Sequence, residues 1–290
     1  MERSSDKKQS LTVSQFALII FGSIVGVGVL SLPNGVVKAA HQDGWICTLI
    51  GGIYPLYVVS IANYISKKFP NDNILILSKK YFGKILGSIL NLIFATYFIF
   101  ITSMIACYYS NLMRSYMMGF LTSFKLIAIL VICIIYAASR GLKVIGRISE
   151  ISFYVTIILL LSPIIALRSP NMTNIYPVFG SGFSSIANGA IKSSFAYGGA
   201  EIILLIYPFL KEKKKILKSS LISVTITIAI YVWCVFITIY YLGPDIVNKN
   251  FWSFLVVTET ITVSVINNYR YIFMTFWSLI AFKSMSINVF

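Results

Sequence analysis

The feature that most constrains this chain is a series of long, nearly uncharged apolar blocks. They run Val13 to Leu32 (continuing as a short helix to Ala40), Trp45 to Ile65, Ile85 to Tyr109, Phe124 to Ser139, Ile151 to Leu167, Ala187 to Leu210, Ser220 to Leu242 and Tyr271 to Phe290. Most approach the roughly 20 residues that an α-helix needs to cross a bilayer. A weaker block, Phe251 to Ile266, carries Glu259 and the threonines Thr258, Thr260 and Thr262. Charged residues are only 11% of the 290 and hydrophobic ones 58%, with a mean hydropathy of +0.85. A water-soluble domain has about a quarter of its residues charged. The expected fold is therefore an all-α membrane protein of about 8 transmembrane helices, a single transmembrane domain over residues 1–290 with no soluble domain of any size.

The basic residues give an independent reading of how these helices alternate, because cytoplasmic loops retain Lys and Arg. Arg3, Lys7 and Lys8 precede span 1. Lys67, Lys68, Lys79, Lys80 and Lys84 lie between spans 2 and 3. Arg140, Lys143 and Arg147 lie between spans 4 and 5, and Lys211, Lys213, Lys214, Lys215 and Lys218 between spans 6 and 7. The opposite loops hold far fewer, and Lys283 stands near the chain end. The bias predicts a multi-pass protein with a cytoplasmic N-terminus. It also accounts for the net charge of +15 without nucleic acid, since these lysines are spread over four loops with no aromatic-rich surface. Lys211 to Lys218 is suited to anionic lipid headgroups.

Other classes have little support. Cys47, Cys107, Cys133 and Cys234 lie in or beside apolar blocks without a Cys-x-x-Cys pair, and His41 is the one histidine. Neither a metal site nor a disulfide framework is expected, no cofactor is called for, and no nucleophile–base pair points to an enzyme. The block from Leu11 to Leu32 is too long for a signal-peptide core, and Lys38 stands where a cleavage site before Ala40 needs a small residue. It reads as a retained span.

Two spans are poorly made as ordinary helices. Span 1 contains Gly22, Ser23, Gly26 and Gly28, with Pro33 shortly after; span 6 contains Tyr197, Gly198, Gly199 and Glu201, with Pro208 near its end. Glycine permits a helix to open, and opened backbone at membrane depth is tolerated only against protein or a wet cavity. The alternative is close helix packing, for which Gly22-x-x-x-Gly26 is suited. Span 6 is five spans on from span 1, an odd number, so the two cross in opposite directions. Glycine-interrupted spans in corresponding positions of inverted halves point to a transporter-type site near the midplane. Freed N–H groups there suit a carboxylate and freed carbonyls an ammonium, which together suit an amino acid. Glu201, an acidic residue inside a span, lies one turn from Tyr197 and is a candidate for ligand or ion contact, or else a structural anchor. Thr96, Tyr97 and Ser103 make span 3 a candidate third wall, while Lys192 is expected to snorkel outward.

The run Gly22 to Pro33 resembles the broken first helix of the amino acid–polyamine–organocation superfamily. With Thr12-Val13-Ser14-Gln15-Phe16, Gly146-Arg147-Ile148-Ser149-Glu150 and Phe195-Ala196-Tyr197-Gly198-Gly199-Ala200-Glu201, the whole chain resembles the endospore germination permeases, the B subunits of nutrient-germinant receptors. That resemblance implies an inner-spore-membrane protein that senses amino acids or related nutrients beside a larger A subunit and a lipoprotein C subunit. It also implies an inverted-repeat transporter-like bundle, with a first five-helix repeat at about 11–167 and a partial second at about 184–290 that lacks its last two helices. A germinant-sensing subunit and an ion-coupled amino acid permease share this site, and the sequence leaves both open.

Overall fold

The computed structural model describes residues 10–168, 172–259 and 269–290. It is helical throughout, with one isolated β-bridge between Leu11 and Leu210 among the described residues. In chain order the helices are α1 (Val13–Ile24), α2 (Leu32–Ala40), α3 (Gly44–Gly51), α4 (Ile53–Lys68), α5 (Ile74–Tyr116), α6 (Ser123–Ser139), α7 (Leu142–Leu161), α8 (Phe183–Ser194), α9 (Ile203–Ile206), α10 (Ile216–Leu242), α11 (Pro244–Lys249), α12 (Ser253–Glu259) and α13 (Tyr269–Val289). Short 3₁₀ turns join several of them. Among the described residues five stretches are individually long and apolar enough to cross a membrane, and Phe183–Tyr197 with Ala200–Phe209, bent by 47°, makes a sixth if taken as one span.

The surface is that of a membrane protein. Ile85, Phe124, Ile158 and Phe195 stand almost wholly outside the bundle, and few residues of the long α5 are buried. Hydroxyls on these outer faces turn back onto their own helix, as Thr96 Oγ1 does to the Leu92 carbonyl (2.8 Å) and Ser103 Oγ to the Ile99 carbonyl (2.8 Å). This satisfies the hydroxyl where no water can. The chain is an all-α multi-pass membrane protein.

Two reversals separate what the helix pattern alone would merge. Between α2 and α3 a Cβ on Gly44 would sit 2.9 Å from Val36 Cγ2. Eight residues of continuous helix span about 12 Å, so the chain must turn back at His41–Asp43. Within α5, Gly83 (φ 77°, ψ 175°) interrupts the helix in a conformation that favours glycine. The preceding turns fold against the following ones: Ser78 Oγ donates to Asn91 Oδ1 at 2.5 Å, and Asn91 Nδ2 to the Leu75 carbonyl at 3.0 Å. The transmembrane part of α5 thus begins close to the expected Ile85.

Three segments that carry Lys or Arg gather at one end of the bundle, beside Leu11 and Gln15. Leu11 pairs its backbone with Phe209 and Lys211 (2.8 and 3.3 Å), the Tyr207 hydroxyl donates to the Asp72 carbonyl, and Gln15 Nε2 reaches Glu150 Oε2 at 3.4 Å. The beginning of α1 and the 2–3, 4–5 and 6–7 connections therefore share one face; Arg3, Lys7 and Lys8 lie outside the described residues. At the opposite end Asp43 accepts from the Phe179 and Ser181 amides (2.8 and 2.9 Å), and Asn34 Nδ2 donates to the Val247 and Asn248 carbonyls (2.8 and 2.9 Å). The later part of the weak apolar block, including Thr260 and Thr262, lies outside the described residues.

Candidate functional site

Both suspect spans are broken where glycine opens them, and the two breaks touch. Helix α1 ends at Ile24. Val25 and Gly26 are extended (Gly26 φ −133°, ψ −158°), and a 3₁₀ turn, Val27–Leu30, leads into α2. The second break follows α8: a 3₁₀ turn Phe195–Tyr197, then Gly198 and Gly199, then the turn Ala200–Ile202 into α9. Ser23 Oγ donates to the Gly199 carbonyl at 2.7 Å across the two. Gly199 has φ +104°, and a Cβ there would lie 2.6 Å from the Ser23 carbonyl oxygen. Conformation and close approach both demand glycine at that position. Gly198 has φ −54° and ψ 143°, an ordinary extended conformation, so its contribution is space alone.

The carbonyl end of α1 is closed by side chains from other helices. The Tyr231 hydroxyl of α10 donates to the Ile24 carbonyl at 2.9 Å, and Lys283 Nζ of α13 approaches the Val25 carbonyl at 3.4 Å. The amide side of the same break is different: Gly26, the N-cap of the Val27–Leu30 turn, has no side chain with which to cap it, and the first amides of such a turn have no acceptor within it. Gly28 faces open space, with no atom within 4 Å of its Cβ position.

That space is a cavity of about 730 Å³. Ser23, Gly26, Gly28 and Ser31 bring backbone and hydroxyls to its wall, and Gly198 comes from the other break. Helix α5 adds Tyr97, Ile101, Met104 and Tyr108, spaced as one helical face. The volume lies within the range of small-molecule sites. A mostly apolar wall with polar groups concentrated at a helix break suits a small ligand with an apolar body and a polar head.

Beyond Tyr54 and Tyr97 lies a second apolar cavity of about 840 Å³, open between α4 and the two limbs of α5. Both tyrosines line both cavities, and Glu201 lines the second. The Glu201 carboxylate accepts from the Gly199 amide (Oε2, 2.8 Å) and from the Tyr54 hydroxyl (Oε1). Glu201 is thus a cap on the second break and an anchor for the tyrosine wall between the cavities, and it stands off the central space.

The structure therefore brings together Ser23, Gly26, Gly28, Tyr97, Gly198, Gly199 and Glu201 around the two breaks. Gly199 and Glu201 do not line the central cavity, and three more of the expected residues are separated from it. Tyr197 is fully buried, donates to the Thr48 carbonyl (2.9 Å) and stacks on Tyr231 with centroids 4.9 Å apart. Gly22 is packed against Ile287 and the stem of Lys283. Thr96, with Ser103, is on the outer face of α5, because one residue along a helix is a rotation of about 100° and Tyr97 takes the inward position. Lys192 is exposed at the rim of the first cavity. Sequence reasoning missed Tyr54, Tyr231 and Lys283. Of these, Lys283 had a signal, an ionisable residue within an apolar span.

Residues 10–290 match the family described as spore germination protein. The chain belongs to that family. It is 25% identical to spore germination protein YndE of Bacillus subtilis (strain 168) over 244 residues, 83% of this chain and 67% of the relative. Spore germination protein GerQB of Bacillus cereus is 23% identical over 265 residues, 91% of this chain and 73% of the relative. Spore germination protein A2 of Bacillus subtilis (strain 168) is 26% identical over 252 residues, 86% and 69% of the two chains. The family match spans both broken helices and the intervening spans.

Proposed function

We propose that this chain is the membrane subunit of a nutrient-germinant receptor and that it recognises an amino acid or similar small nutrient in the cavity between the broken helices 1 and 6. The observation that carries the reading is the uncapped first break at Gly26–Gly28, open to a small-molecule-sized cavity in a chain of the spore germination family. Backbone amides at a break attract a carboxylate, and the apolar wall of α5 accepts a side chain. On this reading the receptor's A subunit and lipoprotein C subunit are its partners. It lies in the inner spore membrane with the N-terminus and the four basic segments in the cytoplasm, and residues of about 11–167 and 184–290 form inverted halves.

Deleting the gene should slow nutrient-triggered germination of spores and leave vegetative amino acid uptake unchanged. Unimpaired germination in response to every nutrient tried would remove the reading. A permease is the second reading, favoured by one feature: two cavities meet at the single wall of Tyr54 and Tyr97. Accumulation of a labelled amino acid by liposomes containing the chain would select the permease.

A further inference from the structure

The second cavity, between α4 and the two limbs of α5, is shaped for an apolar occupant. Glycine holds its limbs together. Gly83 (φ 77°) turns the chain, and at Gly87 the limbs come so close that a Cβ would lie 2.5 Å from the Lys79 Cα. The first limb is amphipathic: Ile74, Leu75, Leu77, Tyr81 and Phe82 line the cavity from one broad helical face, and Lys79 and Lys80 are exposed. Polar side chains within the cavity are already engaged. Glu201 accepts from the Gly199 amide and the Tyr54 hydroxyl, and Ser78 donates to Asn91. The wall they leave is apolar, which suits a hydrocarbon tail.

The cavity also has the reach and the opening that a tail needs. Its lining positions on α4 run from Tyr54 to Phe69, a rise of about 22 Å, against about 15 Å for one leaflet of the hydrocarbon core. Leu90 and Ile93 line it from the second limb and are exposed on the outer flank, so it opens sideways toward lipid. Its mouth is basic. Lys68 precedes the lining Phe69, Lys79 and Lys80 precede Tyr81, Lys84 closely follows Phe82, and all four are exposed. Lys80 Nζ lies 5.9 Å from the centre of the Phe69 ring and 3.1 Å from Asp72, the one acidic residue between Lys67 and Lys84. Among the described residues the other ion pairs are Lys215–Glu212 and Arg270–Glu259, so Lys67, Lys79 and Lys84 have no carboxylate to neutralise them.

We propose that this cavity binds an anionic phospholipid from the leaflet on the basic side of the bundle. One acyl chain enters between α4 and α5 as far as the Tyr54–Tyr97 wall, and the phosphate rests against the exposed lysines at the mouth. Lysines beside a membrane surface favour anionic lipid. A neutral lipid would cover the apolar wall and leave the lysines unmatched; a free phosphate would do the reverse. The proposal does not rest on the receptor reading.

The test uses the purified full chain in detergent with phosphatidylglycerol that carries a photoactivatable diazirine at the end of one acyl chain. After irradiation, labelled residues are located by mass spectrometry. Labels should concentrate on α4 and α5 near Tyr54 and Tyr97. Unlabelled phosphatidylglycerol should compete at least tenfold better than phosphatidylcholine of the same chains, and glycerol phosphate should not compete. Replacing both Lys79→Gln and Lys84→Gln should raise the competing concentration about tenfold. Leu90→Trp, which fills the cavity from the second limb, should remove the label at unchanged melting temperature. Labels spread evenly around the bundle, equal competition by phosphatidylcholine, competition by glycerol phosphate, or labelling unchanged in both variants would each overturn the proposal. No nutrient enters the measurement, so its failure is distinct from failure of the receptor reading.

Discussion

The two helix breaks look alike in sequence and are built for different ends. At the second break both backbone groups of Gly199 have internal partners: its carbonyl takes Ser23 Oγ, and its amide is bound by Glu201, which Tyr54 holds in turn. At the first break only the carbonyl side is closed, by Tyr231 and Lys283, and the amide side at Gly26–Gly28 opens on the cavity. A glycine cluster in a membrane span thus marks opened backbone without saying whether that backbone is available. Availability is decided by side chains from elsewhere, and here it belongs to helix 1.

The comparison breaks most sharply at Gly199. Gly199→Val places a branched side chain at φ +104° and against the Ser23 carbonyl. Backbone strain alone costs about 1–3 kcal/mol, and the clash adds to it. The expected outcome is loss of folded protein from membranes, read by limited proteolysis or thermal aggregation; normal membrane levels and stability would mean that the second break is not the rigid element described.

Glu201→Gln comes next. Glutamine keeps one acceptor oxygen, so it can accept from the Gly199 N–H or from the Tyr54 hydroxyl but not from both. One charge-assisted hydrogen bond is exchanged for a weaker arrangement, about 1–2 kcal/mol. A fall in melting temperature should accompany any loss of nutrient sensitivity. Reduced sensitivity at unchanged stability would instead make Glu201 a ligand contact and erase the distinction between the breaks.

Tyr54→Phe removes one hydroxyl from the same cap and should cost about 1 kcal/mol, a shift of a few degrees in the same assay. A melting temperature at or above wild type would detach Tyr54 from the Glu201 cap. Thr96→Val sharpens the comparison from the other side. Its hydroxyl bonds only its own helix on the outer face, so stability should change by less than about 0.5 kcal/mol and the nutrient dose–response should not move. A defect there would return Thr96 to the site.

The all-helical membrane fold was legible because apolar length is a property of each span by itself. The positions of Gly26, Gly28, Gly198 and Gly199 were legible as places where a span can open, because clustered glycines lower the cost of leaving helical geometry. What escaped reading depended on rotation and partners. Thr96 and Tyr97 differ by one residue, and no local signal says which of them faces inward. Glu201 and Tyr197 share a helical turn in a regular helix, but the break between them sends one to the tyrosine wall and the other into the packed core against Tyr231. Tyr54 became part of the wall only through the docking of α4 beside the second break. Lys283 was counted with the loop charges because it lies near the end of the sequence, and only the packing of α13 on α1 brings it to the opened carbonyl.

The central claim is that the open first break forms the recognition site, and Gly28→Leu tests it most directly. No atom lies within 4 Å of the Gly28 Cβ position, so the new side chain projects into the cavity without disturbing the fold. The measurement is germination against a dilution series of an amino acid mixture, in spores where this chain is the one active member of its family, at matched membrane levels and with melting temperature followed alongside. The half-maximal concentration should rise more than about tenfold, equivalent to roughly 1.4 kcal/mol, with stability unchanged. Wild-type sensitivity from a Gly28→Leu protein that is folded and present at normal levels would contradict the account.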